Sequence, residues 1–116
     1  MLFKVHEDDE MTEYLDFESI QEVSVGVLVV EELQDFQTPR ATSSGLTFQS
    51  MRTRAEYDPQ RFMRRILCKF ACAEAMGGGE VVLEDHKQTD WAAVPRDSTQ
   101  HEKMKALDKA QKLGFW

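Results

Sequence analysis

Residues Ile20 to Leu33 hold the feature that most restricts the fold: Val23, Val25, Val27 and Val29 recur at every second position. A period of two marks a β-strand, and β-branched side chains favour the pleated backbone. Leu28 and Val30 make the other face apolar too. A strand apolar on both sides belongs in the middle of a sheet, with cover on each face. The sequence therefore predicts one long central strand over Ile20–Leu33.

The second restriction comes from Asp58 to Ala75. Stepping 100° per residue, Phe62, Met63, Ile66, Leu67, Phe70 and Ala73 share one arc, and Arg61, Arg64, Arg65, Cys68, Lys69 and Cys72 share the opposite one. Asp58 reads as an N-cap, Pro59 as the first helical residue and Gly77 as the residue that ends the helix. This predicts a principal helix lying over the valine strand, with Phe62, Ile66, Phe70, Val25, Val27 and Val29 buried.

The remaining elements are shorter. Leu2–Val5 predicts a strand with Phe3 and Val5 inward. Tyr14–Phe17 is read as strand, although Met11, Tyr14 and Leu15 also fit a helix. Leu46–Ala55 alternates and pairs antiparallel with the valine strand, and Glu80–Glu84 supplies a fourth strand. Thr99-x-x-Glu102 is a capping box opening a second helix, Gln100 to Leu113. Its apolar set (Met104, Ala106, Leu107, Ala110) is thin, which places it at the domain edge, with Gly114 closing it and Phe115–Trp116 folding back onto the sheet. The expectation is a single α+β domain over residues 1–116. It comprises an antiparallel sheet of about four strands, a principal amphipathic helix across one face and a second, C-terminal helix.

Charge is distributed unevenly. Residues 1–36 carry eleven carboxylates against Lys4 alone, a net −10, whereas residues 37–70 carry seven cations against Glu56 and Asp58, a net +5. The whole chain stands at −7, which disfavours generic attraction to nucleic acid or anionic lipid. Two acidic clusters, Glu7-Asp8-Asp9-Glu10 and Glu31, Glu32 and Asp35, are candidate partner-binding surfaces. Arg52, Arg54, Arg61, Arg64, Arg65 and Lys69 form a candidate basic ridge, in a residue type suited to bidentate recognition. The ridge either pairs internally with the acidic third or meets a partner. Trp91, in a polar loop, either pins that loop or serves as a hot spot at an interface.

Catalytic and metal patterns are sparse. Cys68 and Cys72 lie one turn apart on the predicted helix, but His6, His86 and His101 fall in three separate segments, so no ligand set forms. Gly77-Gly78-Gly79 follows a helix instead of opening one, which makes it a cap and not a phosphate loop. Glu80, Glu84, Asp85 and His86 lack a matching Lys or a second acidic strand, so a nuclease-type metal cluster is not indicated. The sequence thus predicts no enzyme, no metal and no cofactor. It has no apolar run long enough for a membrane span, and no basic-then-apolar leader. With two cysteines on one helix, the expected address is the cytoplasm.

In shortness, acidity, α+β class and lack of a catalytic motif the chain resembles phage-encoded inhibitors such as anti-CRISPR proteins, a likeness of size and charge and not of motif. It implies a non-enzymatic protein-binding module: a viral nucleic-acid mimic that occupies a basic or nucleic-acid-binding protein through its acidic third. The alternative is direct nucleic-acid binding by the Arg ridge. A third reading is an enzyme with a site assembled from dispersed residues.

Overall fold

Gly26 turns the valine run back on itself. The computed structural model describes residues 1–116, and the run is a hairpin: β2 (Met11–Ser24) and β3 (Val27–Ala41) pair antiparallel, with Ser24 opposite Val27. Gly26 takes φ 75°, a left-handed conformation that costs glycine nothing. Val25 stands at the tip, 97% exposed, while Leu28, Val29 and Val30 are buried. The single strand expected over Ile20–Leu33 is corrected accordingly. Alternation ran unbroken across the turn, and only the glycine marked it.

A second hairpin replaces the predicted principal helix. β4 (Thr47–Asp58) and β5 (Met63–Cys72) pair antiparallel from Ser50–Cys72 to Asp58–Met63. Asp58 and Pro59 open a turn: the Arg61 N–H donates to the Asp58 carbonyl at 3.2 Å, and Phe62 follows at φ 54°. Proline suits the second position of a turn as well as the first of a helix. Arg, Met, Leu and Lys favour helix, but partners on both sides satisfy the backbone of β5, and that pairing outweighs propensity. Phe62 is 42% exposed, and Ile66 and Phe70 are only half-buried. Leu67 is left without a partner between the pairs Ala55–Ile66 and Arg54–Cys68. This bulge shifts the alternation, so Arg64, Ile66, Lys69 and Ala71 face one side of the sheet and Met63, Arg65, Cys68 and Phe70 the other.

The sheet is an antiparallel meander. β1 (Leu2–Glu7) forms one edge, β2 to β5 follow in order, and β6 (Val81–Asp85) pairs with the C-terminal half of β5. β7 (Ala92–Ala93) pairs with Met63 and Arg64 at the other end of β5. Helix α1 (Thr99–Lys112) is capped not by Thr99 but by Ser98, and the Ser98 Oγ accepts the His101 N–H at 3.2 Å. It closes at Gly114 (φ 88°), with the Phe115 N–H donating to the Ala110 carbonyl at 3.0 Å.

This C-terminal helix builds the core instead of docking at its edge. Met104, Ala106, Leu107 and Ala110 pack against Leu15, Phe17, Leu28, Val30, Ala55 and Tyr57. Phe3 stacks on Phe17 at 4.8 Å, Phe115 meets Phe17 edge-on at 5.2 Å, and Trp116 Nε1 donates to the Leu107 carbonyl at 3.0 Å. On the far face the Gly77–Gly79 stretch ends no helix. A 3-10 turn (Ala75–Gly77) folds back over the sheet, where the Gly77 N–H donates to Ser50 Oγ and the Met76 N–H to Asp35 Oδ1, each at 2.8 Å. The expected four-strand sheet with two helices is thus corrected to a seven-stranded sheet with one.

Candidate interaction surface

Arg64 and Arg65, adjacent in sequence, part company because neighbouring strand residues point to opposite faces. Arg65 projects onto the open face, away from α1. Its Nε donates to Glu56 Oε1 at 2.7 Å and its guanidinium lies over the Trp91 ring at 4.5 Å. Asp58, Arg61, Met63 and Trp91 line a hollow of about 220 Å³ beside it. Arg61, at the hairpin turn, is 82% exposed. Further along the same face, Arg52 lies over the Phe70 ring at 5.3 Å and 3.8 Å from Glu31, and Arg54 is exposed. The sequence-defined ridge is thereby divided: Arg52, Arg54 and Arg65 share the open face with Trp91, Arg61 stands at its end, and Arg64 and Lys69 lie on the helix side.

There, Arg64 and Lys69 join Glu32, Gln34, Thr53 and Lys103 around a cleft of about 120 Å³. Lys103 is 1% exposed and donates to Glu13 Oε1 and Glu32 Oε1, each at 2.9 Å. Arg64 Nη2 donates to Glu32 Oε1 at 2.7 Å, and the Tyr57 hydroxyl donates to Glu32 Oε2. Burial pushes the Glu32 carboxyl up, but Lys103 and Arg64 more than offset this and hold it at about 2. Burial raises the Tyr57 phenol well above its ordinary value, and the Glu32 charge adds to that. Sequence reasoning missed Lys103 and Tyr57. One signal was present: Lys103, Ala106, Leu107 and Ala110 follow the i, i+3, i+4, i+7 spacing of a buried stripe.

The acidic third is dispersed over several environments. Glu7, Asp8, Asp9 and Glu10 are exposed at the β1–β2 turn. Asp8 accepts the N–H groups of Glu10 and Met11 at 2.8 and 2.9 Å and contacts His6 Nε2 at 2.8 Å. The His6 contact and these two N–H bonds hold its carboxyl at about 2. Glu31 approaches Arg52, Asp35 holds the 3-10 turn, and Glu32 is buried. Cys68 and Cys72 are free, and with three strand residues between them they stand about 13 Å apart, too far to bridge. No group of three or more His, Cys, Asp or Glu side chains is placed to hold a metal, and no helix is long and apolar enough to cross a membrane.

A family model described as surface-adhesin protein E matches residues 2–107, nearly the whole chain. The chain belongs to the surface-adhesin protein E family. The Haemophilus influenzae protein E structure matches with a TM-score of 0.67 at 13% identity, covering 84% of this chain and 76% of that one. Crystal form II of the same protein gives 0.69 at 13% identity over 84% and 80%. Protein E from non-typeable Haemophilus influenzae gives 0.69 at 12% identity over 97% and 79%. At such identities the likeness establishes the fold alone. No curated protein matches the chain in sequence.

Membership of the protein E family revises the functional expectations. It overturns the phage-type, anti-CRISPR-like inhibitor and nucleic-acid mimic, and equally the nucleic-acid-binding domain. It also overturns the cytoplasmic address, since a surface adhesin works at the cell surface or outside the cell. The chain is a non-enzymatic binding protein, as an adhesin family requires, and its partner in the coarse sense is a protein. Nothing supports a basic or nucleic-acid-binding partner.

Proposed function

We propose that this chain is a surface adhesin whose open sheet face meets a host protein, with Trp91 and Arg65 at the centre and Arg52, Arg54 and Arg61 around them. One observation carries the choice of face: the Arg65 guanidinium, fixed by Glu56 at 2.7 Å, lies over the Trp91 ring at 4.5 Å. An aromatic ring and an arginine ordered before binding lose little freedom on contact, and these two residue types dominate interface hot spots. The neighbouring hollow offers a partner side chain a seat beside Trp91. The exposed turn Glu7–Glu10 is a second candidate surface, poised for on-rate more than affinity.

The test is adhesion of bacteria displaying the chain to monolayers of cultured host cells. Trp91→Ala and Arg65→Ala should each weaken attachment. If each removes about 2 kcal/mol, the apparent affinity falls about thirtyfold. Display without any gain in attachment sinks the adhesin reading. Attachment that survives both substitutions sinks the choice of face and transfers attention to Glu7–Glu10, whose neutralisation is the comparison arm.

A further inference from the structure

The two edges of the sheet are treated differently. The outer side of β5 is fully occupied: β6 takes one end, β7 the other, and between them Thr89 donates its N–H to the Ile66 carbonyl at 2.9 Å while its Oγ1 accepts the Ile66 N–H at 2.9 Å. The outer side of β1 has no such cover, since β1 pairs with β2 alone. The Phe17 N–H donates to the Met1 carbonyl at 2.9 Å, and Leu2 and Lys4 stand opposite Asp16 and Tyr14. Because antiparallel pairs alternate between bonded and non-bonded, Phe3 spends its main-chain groups on β2, and those of Leu2 and Lys4 point outward.

Beside this edge runs a groove between β1 and α1. Its volume is about 240 Å³, and Phe3, Val5 and Ala106 form its apolar part while Lys105 and Lys109 supply its cations, with Lys4 at its rim. Lys109 Nζ stands 4.8 Å over the Phe3 ring; Lys105 holds Glu102 and Lys4 holds Glu7, each at 3.2 Å, whereas Lys109 makes no ion pair. On a chain of net −7, three lysines against two carboxylates leave a surplus of one positive charge here, at Lys109.

We propose that the β1 edge and this groove take an extended, acidic segment of the protein partner as an added strand, a mode in which main-chain bonds give affinity and alternate side chains give selectivity. This deepens the adhesin reading and rests on it. Side chains of an added strand point alternately to the two faces. Carboxylates on the helix side meet Lys105 and Lys109. The bulge between Lys4 and His6 and the lysine itself are devices that blunt a sheet edge. They discriminate among occupants. The β1 strand of a second copy brings a single carboxylate, Glu7, to such a pairing, whereas an acidic strand brings one at every second position.

The experiment is an amide-resolved NMR titration of the purified chain with an acetylated eight-residue peptide alternating valine with glutamate, and with its lysine-for-glutamate counterpart. The expected result is saturable shifts at Leu2, Lys4 and Lys109 with the glutamate peptide only, weakening as salt rises. Leu2→Pro removes one outward N–H without touching the β1–β2 ladder and should raise Kd at least tenfold. Lys105→Gln with Lys109→Gln should do the same and leaves the backbone intact. Equal binding of both peptides, binding indifferent to Leu2→Pro, absence of binding, or concentration-dependent self-association through β1 would each overturn the proposal. None of these outcomes bears on attachment of displaying bacteria to cells, so failure here stays separate from failure of the adhesin reading.

Discussion

Lys103→Met isolates the internal charge network. Methionine keeps most of the length and apolar stem of lysine, so the change removes an ammonium more than it opens a cavity. The lost group makes two bonds of 2.9 Å, to Glu13 and Glu32. Glu32 retains Arg64 and Tyr57, but Glu13, 5% exposed, keeps only the Gln34 amide at 3.4 Å. Two charge-assisted hydrogen bonds at about 1.5–3 kcal/mol each, set against about 3–5 kcal/mol for breaking one side of a buried ion pair, agree on a loss of about 3–5 kcal/mol. That is a large part of the total for a domain of this size. Urea unfolding followed by Trp91 and Trp116 fluorescence should therefore show a midpoint lower by about 2 M at an unchanged slope.

The pH dependence sharpens the test. In the wild type, the Glu32 carboxyl is depressed from 4.5 to about 2, so its contribution is complete above the unfolded value and is lost as pH falls towards 2. In the variant the stranded carboxylates can shed their charge by taking up a proton, so the deficit against wild type should shrink between pH 7 and pH 5. The double variant Glu13→Gln with Lys103→Met should regain more than half of the loss. A deficit below 1 kcal/mol at pH 7, or one equal at both pH values, would refute the assignment of a charged buried network.

Two further perturbations test the core and the far face. Phe17→Ala should cost about 3–5 kcal/mol in the same assay, because the ring is wholly buried between Phe3 and Phe115, whereas Phe62→Ala at the exposed turn should cost under about 1 kcal/mol. Equal losses would restore the buried-helix orientation of Phe62. Gly77→Ala should destabilise by about 1–2 kcal/mol, since alanine at φ 74° is strained and its methyl would lie 3.1 Å from Arg52 Cδ. A neutral effect would show that the 3-10 turn does not hold that face.

How much of this was legible in the sequence depends on where the decisive forces act. The strand at Leu2–Val5, the antiparallel partner of the valine run, the strand after the glycines and the C-terminal helix all carry local signals, and each is present. Residues 62–72 mislead because the side chains at i and i+4 share a face in a helix and in a regular strand alike, and the composition favours the helix. Their state is decided by β4 and by the segment 81–93, far away in sequence. The open face was legible in part. Trp91 and the arginines were singled out, but their division between two faces needed the register of β5. Lys103 was invisible to any rule that counts lysine as surface, although its position on the helical stripe was plain.

Leu67 gives β5 a phase boundary. Either side of it, the assignment of residues to the inner and outer surfaces is set independently, as in two rulers joined with an offset of one mark. Losing that residue would make the strand regular and leave Met63 to Ile66 and Cys68 to Cys72 each opposite its present partner and on its present face, because Ile66 and Cys68, then neighbours, already point to opposite sides. Pairing every residue in turn from Arg54–Cys68, with Leu67 opposite Ala55, would instead set Arg65 on the face of Glu32 and Arg64 on that of Trp91. The bulge, and not the order of two identical residues, thus decides which arginine meets which face. Among relatives as divergent as those matched here, the presence of two consecutive arginines says little until the offset between them and the rest of the strand has been located.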